Sequence, residues 1–151
     1  MEPLNPASQT DRLAAILERL KAKGLRLTPQ RLAIVKAVLA HPGHPTVEQI
    51  HREILNDYPT TSLATVYKTV ALLKAEGEIL ELGFGEQGSR YDGLRPRPHP
   101  HMICSRCGEI LDLELDDLDD IVARFAASTG YAVDSHRFDV FGVCPRCRES
   151  G

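Results

Sequence analysis

Residues 61–92 read TSLATVYKTVALLKAEGEILELGFGEQGSRYD and join a helical pattern directly to a hairpin pattern. Ser62 is a preferred N-cap residue, and Gly77 stops the helical run that follows it. The apolar residues that recur at helical spacing in this run are Leu63, Val66, Val70 and Leu73. Beyond Gly77, alternating residues flank a glycine-rich bend, which is typical of a β-hairpin. A helix followed at once by a hairpin predicts a recognition helix and a wing.

Three further helices are predicted before this stretch, each with its own start or stop signal. Residues 11–23 form an amphipathic pattern that Gly24 ends. Thr28 is an N-cap candidate followed by proline at the first helical position, and Thr46 opens another helix that Pro59 closes. Four short helices with brief connections predict a helix-turn-helix core.

The sequence changes character after the hairpin. Residues 94–100, LRPRPHP, contain three prolines and no apolar periodicity, so they predict an extended linker. Beyond it we expect a small α/β unit with strands at 101–104, 109–115 and 131–143 and a helix at 117–128. The predicted fold class is α+β. The rear unit holds so little apolar sequence that zinc and a partner subunit are both plausible supports for it.

The distribution of charged residues also differs between the front and rear parts of the chain. Residues 1–77 carry ten Lys and Arg against seven Asp and Glu, a net of +3, whereas the remaining residues carry eight against fourteen, a net of −6. A basic front half can approach phosphates, and an acidic rear half suits metal binding or self-association. No apolar run approaches the roughly 18 residues of a membrane span, and Met1–Thr10 is polar rather than a signal peptide. We therefore expect a cytoplasmic protein.

The cysteines carry the strongest chemical signal. The chain has four, and every one belongs to a C-x-x-C pair: Cys104, Cys107, Cys144 and Cys147. A reducing cytosol disfavours disulfides, and the alternative of two redox pairs lacks the strand-to-helix setting of a thioredoxin-type motif, since Gly108 and Pro145 indicate tight turns. Four sulfur ligands with no open position predict a structural zinc site rather than a catalytic one.

A second group of candidate ligands offers only nitrogen and oxygen. Asp92 lies in R-Y-D-G, His99 and His101 form H-P-H, and Asp112 follows the first cysteine pair. The two histidines are two residues apart on an extended segment and point to the same side, where Asp112 could reach them from a neighbouring strand. Asp92 alone is ordinarily a turn residue, and H-P-H alone is equally typical of a solvated linker. Together they favour a site for ferrous iron or manganese. By its own surroundings, His44 is an ordinary helix-entry residue.

The fourth predicted helix carries residues suited to DNA. A helix that enters the major groove needs small polar or methyl-bearing residues, an aromatic ring for thymine methyl groups and cations for phosphates. The alternative is a surface helix of a four-helix unit. The predicted DNA contacts are Arg26, Arg31, Thr61, Thr65, Tyr67 and Lys68. Of these, we expect Thr61, Thr65, Tyr67 and Lys68 to be exposed.

The order of motifs along the chain resembles the ferric uptake regulator family. The motifs are T-P-Q-R at 28–31, H-P-T at 44–46, L-A-T-V-Y-K at 63–68, H-x-H-x-x-C-x-x-C at 99–107 and the closing C-x-x-C. The resemblance implies a winged-helix DNA-binding domain over residues 1–93, a hinge over 94–100 and a metal-binding dimerisation domain over 101–151. It also implies a homodimer that binds a palindromic double-stranded operator as a repressor.

The same resemblance implies a ligand set for the sensing metal, Fe(II) or Mn(II). That set is His44, Asp92, His99, His101 and Asp112. Ligands from both domains would favour the arrangement in which the two recognition helices of a dimer match adjacent half-sites. Metal loss would release the domains.

Subfamily signals favour peroxide sensing. No cysteine remains for a zinc sensor, and Asp112 is similar to the last ligand of the peroxide regulators, where iron sensors more often carry Glu. In those relatives, iron reacts with peroxide and the oxygen ends on a ligand histidine, which here would be His44 or His99. An iron- or manganese-uptake repressor without peroxide sensing remains the alternative. A non-haem iron enzyme is a remote one, because five protein ligands leave little room for substrate and no substrate pocket is visible in the sequence.

Overall fold

The computed structural model describes residues 6–151. The chain divides into two compact units, of which the first ends at Pro96 and the second runs from Arg97 to Gly151. Both units contain helices and strands, which confirms a mixed α and β fold class. Residues 1–5, the beginning of the expected polar stretch Met1–Thr10 and of the expected first domain, lie outside the described residues.

The first unit consists of four helices followed by one antiparallel hairpin. Its first helix begins at Pro6, five residues earlier than the amphipathic pattern predicts. Its elements are α1 (Pro6–Ala22), α2 (Pro29–Ala40), α3 (Val47–Ile54), α4 (Leu63–Ala75), β1 (Leu80–Gly83), a 3-10 helix (Gly85–Gln87) and β2 (Ser89–Asp92).

The predicted helix starts are confirmed by their capping hydrogen bonds. The Thr28 hydroxyl accepts from the Arg31 N–H at 3.2 Å, and the Ser62 hydroxyl accepts from the Thr65 N–H at 3.1 Å. Thr46 begins α3 with a full capping box. The predicted end of this helix at Pro59 is wrong, because α3 ends at Ile54 and turns lead from there towards the proline.

Apolar side chains from all four helices and the base of the hairpin form the core of the first unit. The most deeply buried members include Ile16, Ile34, Val38, Ile50, Val66, Val70 and Leu73. Burying a side chain of this size contributes roughly 1.5–3 kcal/mol. This core therefore gives the hairpin and the helices before it one common support.

Helix α1 also holds the base of the hairpin through polar contacts. Arg12 Nη2 donates to the Glu78 carbonyl at 2.7 Å, and the same guanidinium donates to the Gly93 carbonyl. On its other side, Gly93 packs so closely on α2 that an added Cβ would lie 2.2 Å from the Val38 carbonyl oxygen. The chain just after β2 is thus fixed between two helices.

Gly93→Ala is expected to destabilise the first unit by about 2 kcal/mol, because overpacking against a helix backbone forces that backbone to shift. The measurement is chemical denaturation followed by circular dichroism. Gly83→Ala is the matched control, since a Cβ there would meet only Ser89 Oγ at 4.0 Å. Equal loss of stability in the two variants would contradict the close approach.

The second unit is a three-stranded sheet with two helices. Its elements are β3 (His101–Cys104), β4 (Ile110–Asp112), α5 (Leu118–Thr129), β5 (Asp139–Gly142) and α6 (Pro145–Glu149). The strand order is β4-β3-β5, with β3 antiparallel to β4 and parallel to β5.

Three sequence expectations for this unit need correction. The strand expected over 131–143 is confirmed only for Asp139–Gly142, since residues 131–138 form no ladder. The strand expected over 109–115 is limited to Ile110–Asp112. The tight turn expected at Pro145 is instead the start of the short helix α6, of which Pro145 is the first residue.

Among residues 6–151, no helix is both long and apolar enough to cross a bilayer.

Candidate metal centres

The four cysteines meet at one end of the β3–β5 ladder. Cys104 ends β3, and Gly108, with φ of 74°, lets the chain turn back so that its N–H donates to the Cys104 carbonyl at 2.9 Å. Cys144 caps α6, which carries Cys147 one turn further on. The parallel pairing of Cys104 with Gly142 brings the two turns together.

The geometry of the four sulfur atoms fits zinc. All four lie within 4.8 Å of one another, none is in a disulfide, and Cys107 Sγ is 3.8 Å from Cys144 Sγ. A tetrahedral zinc ion with Zn–S bonds of about 2.3 Å requires sulfur atoms about 3.8 Å apart. The Cys144 N–H also donates to Cys104 Sγ at 3.3 Å. Such a bond stabilises a thiolate.

The pKa values of the thiols indicate that four thiolates can form together only when a cation is bound. Backbone N–H groups of Cys107 and Cys144 lower the pKa of Cys104 to about 6. Sharing of protons with the thiols of Cys144 and Cys107 raises the pKa of Cys147 to about 12. One thiolate therefore forms readily, whereas the last is strongly disfavoured in the absence of a cation. A divalent ion removes that penalty.

The first unit brings two of the expected oxygen and nitrogen ligands together. Strand β2 lies beside the loop that precedes α3, because the Tyr91 N–H donates to the Pro45 carbonyl at 3.0 Å and the Arg90 side chain donates to the His44 carbonyl. As a result, His44 Nε2 lies 3.5 Å from Asp92 Oδ2. The other Asp92 oxygen accepts from two backbone N–H groups of the next turn, at 2.8 Å each.

The second unit brings the other three together. His101 on β3 stands opposite Asp112 on β4 in the antiparallel register. Asp112 Oδ1 lies 3.1 Å from His99 Nε2 and 3.6 Å from His101 Nε2. Two ligands at right angles on an ion with bonds of about 2.1 Å are about 3 Å apart. Ligand spacing and donor type in each unit therefore suit a divalent ion that prefers nitrogen and oxygen.

Contacts behind the histidine rings select the metal-binding nitrogen. His99 Nδ1 donates to the Arg97 carbonyl at 2.7 Å, and His101 Nδ1 donates to Asp139 Oδ1 at 3.2 Å. A proton fixed on Nδ1 leaves Nε2 as the ligand atom. Burial, followed by the neighbouring His99, lowers the pKa of His101 and keeps that ring in the neutral form that metals bind.

Asp139 is a site residue that the sequence analysis missed. It contacts His101 because the two residues are partners in the parallel β3–β5 register. Only that pairing reveals the contact, since 37 residues separate the two positions. An acidic residue at the start of the last strand was the sole available signal.

The residues expected to contact DNA differ in exposure. Tyr67 and Lys68 are exposed on α4, and Thr65 is half-buried. The expected exposure of Thr61 is wrong, because Thr61 is only 6% exposed. The ring of His51 donates to its carbonyl at 2.7 Å, and this contact keeps the residue inside the turn before α4.

The two arginines near α2 form one small arrangement. Arg26 is exposed, whereas Arg31 is half-buried and donates from Nη1 to the Arg26 carbonyl at 2.6 Å. The Arg31 guanidinium therefore stabilises the segment that leads into α2.

A four-thiol centre and histidine–carboxylate pairs, in a chain that also contains a compact helical unit with a hairpin, are typical of metal-responsive regulators. The model of the ferric uptake regulator family matches residues 22–141. The chain belongs to this family.

Individual relatives agree with this assignment. The peroxide operon regulator of Bacillus subtilis is 37% identical over 135 residues, which is 89% of this chain and 92% of the relative. The peroxide stress regulator of Campylobacter jejuni is 33% identical, with a TM-score of 0.68 over 87% of this chain and 98% of that one. The ferric uptake regulator of Helicobacter pylori shares the fold, with a TM-score of 0.80, 24% identity and coverage of 98% and 97%.

Proposed function

We propose that this protein is a metal-dependent transcriptional repressor that binds operator DNA as a homodimer and is relieved by peroxide. The observation that carries the proposal is the presence of two chemically distinct ligand groups, one of thiols and one of imidazoles and carboxylates, in a member of the ferric uptake regulator family. We assign structural Zn(II) to the first group and regulatory Fe(II) or Mn(II) to the second.

The regulatory ion is proposed to be held by ligands from both units. The first unit contributes His44 and Asp92, and the second contributes His99, His101 and Asp112. This set is proposed on the family resemblance, and the short ligand distances inside each unit support it. With residues 94–100 as a hinge, ligation would favour one arrangement of the units and thereby the operator-binding state.

DNA recognition is assigned to residues 1–93, which lie within the first unit, as a winged-helix domain. Helix α4 would read the major groove and the β1–β2 hairpin would form the wing. Exposed Tyr67 and Lys68 support this assignment, with Arg26, Arg31 and the half-buried Thr65 as further candidates. Thr61 contributes to the turn before α4 rather than to a side-chain contact with DNA.

Tyr67→Ala is expected to weaken operator binding by about 1–3 kcal/mol with little effect on random DNA, because the ring would contact bases. Lys68→Ala is expected to weaken binding to both operator and random DNA. It should also lower the slope of log affinity against log salt concentration by about one, the effect of losing one phosphate contact. Fluorescence anisotropy at several salt concentrations measures both effects. Equal losses on operator and random DNA for Tyr67→Ala would rule out base reading by this residue.

Residues 101–151, which lie within the second unit, are proposed to form the dimer. The most exposed large aromatic side chains of this unit are those of Phe125, Tyr131 and Phe141, at 65%, 78% and 60%. Apolar surface of this kind is usually buried against a partner. A two-fold dimer would present two copies of α4 to a palindromic operator. A reducing cytoplasm would keep the thiols available for zinc.

Peroxide is expected to add oxygen to His44 or His99 in the iron-loaded protein and to lower its operator affinity. Ferrous iron held by these ligands would supply the one electron that cleaves the O–O bond and would regain one from the oxidised imidazole, so peroxide is the net oxidant and its second oxygen leaves as water. The measurement is mass spectrometry of the peptides that contain these histidines, after treatment with micromolar peroxide. The manganese-loaded protein is the control. Unmodified peptides with retained DNA binding would favour the alternative, an iron- or manganese-uptake repressor without peroxide sensing.

A further inference from the structure

One hydrogen bond joins the helix proposed to read DNA to the helix before it. The hydroxyl group of Tyr67, on α4, donates to Glu48 Oε1, in the first turn of α3, at 2.9 Å. Tyr67 is 48% exposed, so its ring extends from the surface and this bond is a main constraint on its direction. Neither the recognition-helix proposal nor the metal-site proposals use Glu48.

Both backbones that carry this pair are fixed. Around Glu48, the capping box of α3 places the Gln49 N–H on the Thr46 hydroxyl at 3.1 Å and the Thr46 N–H on Gln49 Oε1 at 2.8 Å. Next to Tyr67, Val66 is fully buried in the core. The hydrogen bond therefore joins two backbone segments that are each fixed by their own contacts, and it orients the Tyr67 ring.

The protonation states of Glu48 and Tyr67 favour a strong hydrogen bond between them. The N–H of Glu48 itself and then the Tyr67 hydroxyl lower the pKa of the Glu48 carboxyl. Glu48 in turn raises the pKa of Tyr67. Near neutral pH the acceptor is a carboxylate and the donor a neutral phenol, the combination that gives strong hydrogen bonds.

A carboxylate at this place is unfavourable for plain DNA affinity. The groove of about 600 Å³ beside Tyr67 is also lined by Glu86 of the hairpin. Glu81 lines it too, but its carboxylate is paired with the Lys74 ammonium group, so the negative charge there comes mainly from Glu48 and Glu86. Negative charge there repels phosphates and weakens the sequence-independent part of binding. Glu48 would therefore reduce non-specific affinity, and a gain in discrimination would offset that loss.

We infer that Glu48 is a positioning residue for operator reading, which holds the Tyr67 ring in its base-contacting direction while its charge disfavours random DNA. This inference rests on the proposed DNA-binding function. It separates two effects of one side chain: the hydrogen-bond acceptor acts on discrimination, and the charge acts on non-specific affinity.

Three variants of the manganese-loaded, full-length protein distinguish these effects. Glu48→Gln removes the charge but keeps an oxygen acceptor, whereas Glu48→Ala removes both. Glu53→Gln is the matched control, since it removes the same charge from the exposed face of the same helix. Affinities for operator and random DNA are measured by anisotropy, and circular dichroism and zinc content confirm folding.

We expect Glu48→Ala to lower the ratio of operator to random affinity about three- to tenfold, the effect of one hydrogen bond. Glu48→Gln should keep that ratio within about twofold of the original, because its amide oxygen still accepts from Tyr67. Both substitutions should raise random-DNA affinity, and Glu53→Gln should do the same. Equal ratios for the Ala and Gln variants would overturn the inference.

A double-mutant cycle adds a second requirement. In the Tyr67→Phe background, Glu48→Ala should leave the ratio unchanged, because the partner hydroxyl is already absent. An undiminished loss in that background would mean that Glu48 does not act through Tyr67, and would refute the inference. If Tyr67→Ala itself left operator discrimination intact, the recognition-helix proposal would fail first.

Discussion

Cys144→Ser is expected to abolish zinc retention and to unfold residues 97–151 while the first unit keeps its own unfolding transition. The second unit has few buried apolar residues, among them Ile103 and Leu118, so its core alone provides little stability. Zinc binding contributes about 10–16 kcal/mol in small zinc domains, comparable to the whole stability of a typical protein. Loss of one thiolate therefore outweighs any other single change in this unit.

Zinc content by elemental analysis and hydrogen exchange of the β3–β5 ladder measure this effect. Ser105→Ala is the matched control, because it removes a 2.9 Å bond from the Ser105 hydroxyl to the Gly142 carbonyl beside the site but no ligand. Exchange should become fast throughout the second unit only in the cysteine variant. Unchanged zinc content and unchanged protection in Cys144→Ser would reject the structural assignment.

Asp112→Ala is expected to weaken Mn(II) binding about a hundredfold or more and to leave zinc content unchanged. One Asp112 oxygen lies near the Nε2 atoms of both His99 and His101, so its removal takes away a ligand and the group that draws the two rings together. Loss of even an indirect contact typically costs 10- to 100-fold in metal affinity, and a direct ligand should cost more.

Electron paramagnetic resonance of free Mn(II) gives the affinity directly. Asp116→Ala is the control for charge, since Asp116 is exposed in the same unit and belongs to neither ligand group. If the Asp112 and Asp116 variants bound manganese equally well, the proposed regulatory site would have to lie elsewhere.

Local signals explain why the helical unit could be predicted closely. Thr28, Thr46 and Ser62 each cap a helix with their own side chain, and such a bond depends on residues only three positions away. The hairpin is equally local, since its two strands are separated by only five residues. Contacts at short sequence separation leave their pattern in the sequence.

The second unit shows where sequence patterns fail. Residues 131–138, which include Tyr131, Val133 and Phe138, belong to the single strand expected over 131–143. All three are at least 45% exposed in the structure, and only Asp139–Gly142 pairs with β3. A strand needs a partner with free backbone groups, and β3 is only four residues long.

The candidate metal sites show the same difference between local patterns, which the sequence reveals, and long-range contacts, which it does not. The spacing of the cysteines and of His99 and His101 was sufficient to propose two ligand groups. The meeting of His44 with Asp92 depends on how β2 lies against the loop before α3, and this was expected only from the family resemblance. The contact of Asp139 with His101 depends on long-range strand pairing, and that of Glu48 with Tyr67 depends on helix packing. No local sequence pattern encodes either contact.

In the proposed function, occupancy of the histidine–carboxylate site controls DNA binding. The most direct measurement is operator affinity of the zinc-loaded protein as Mn(II) is titrated, with bound manganese determined in the same samples. The operator is selected beforehand from a random DNA library. Affinity should rise about 5- to 150-fold as the site fills, the usual range of coupling between two sites. Constant affinity from empty to full occupancy would contradict the account.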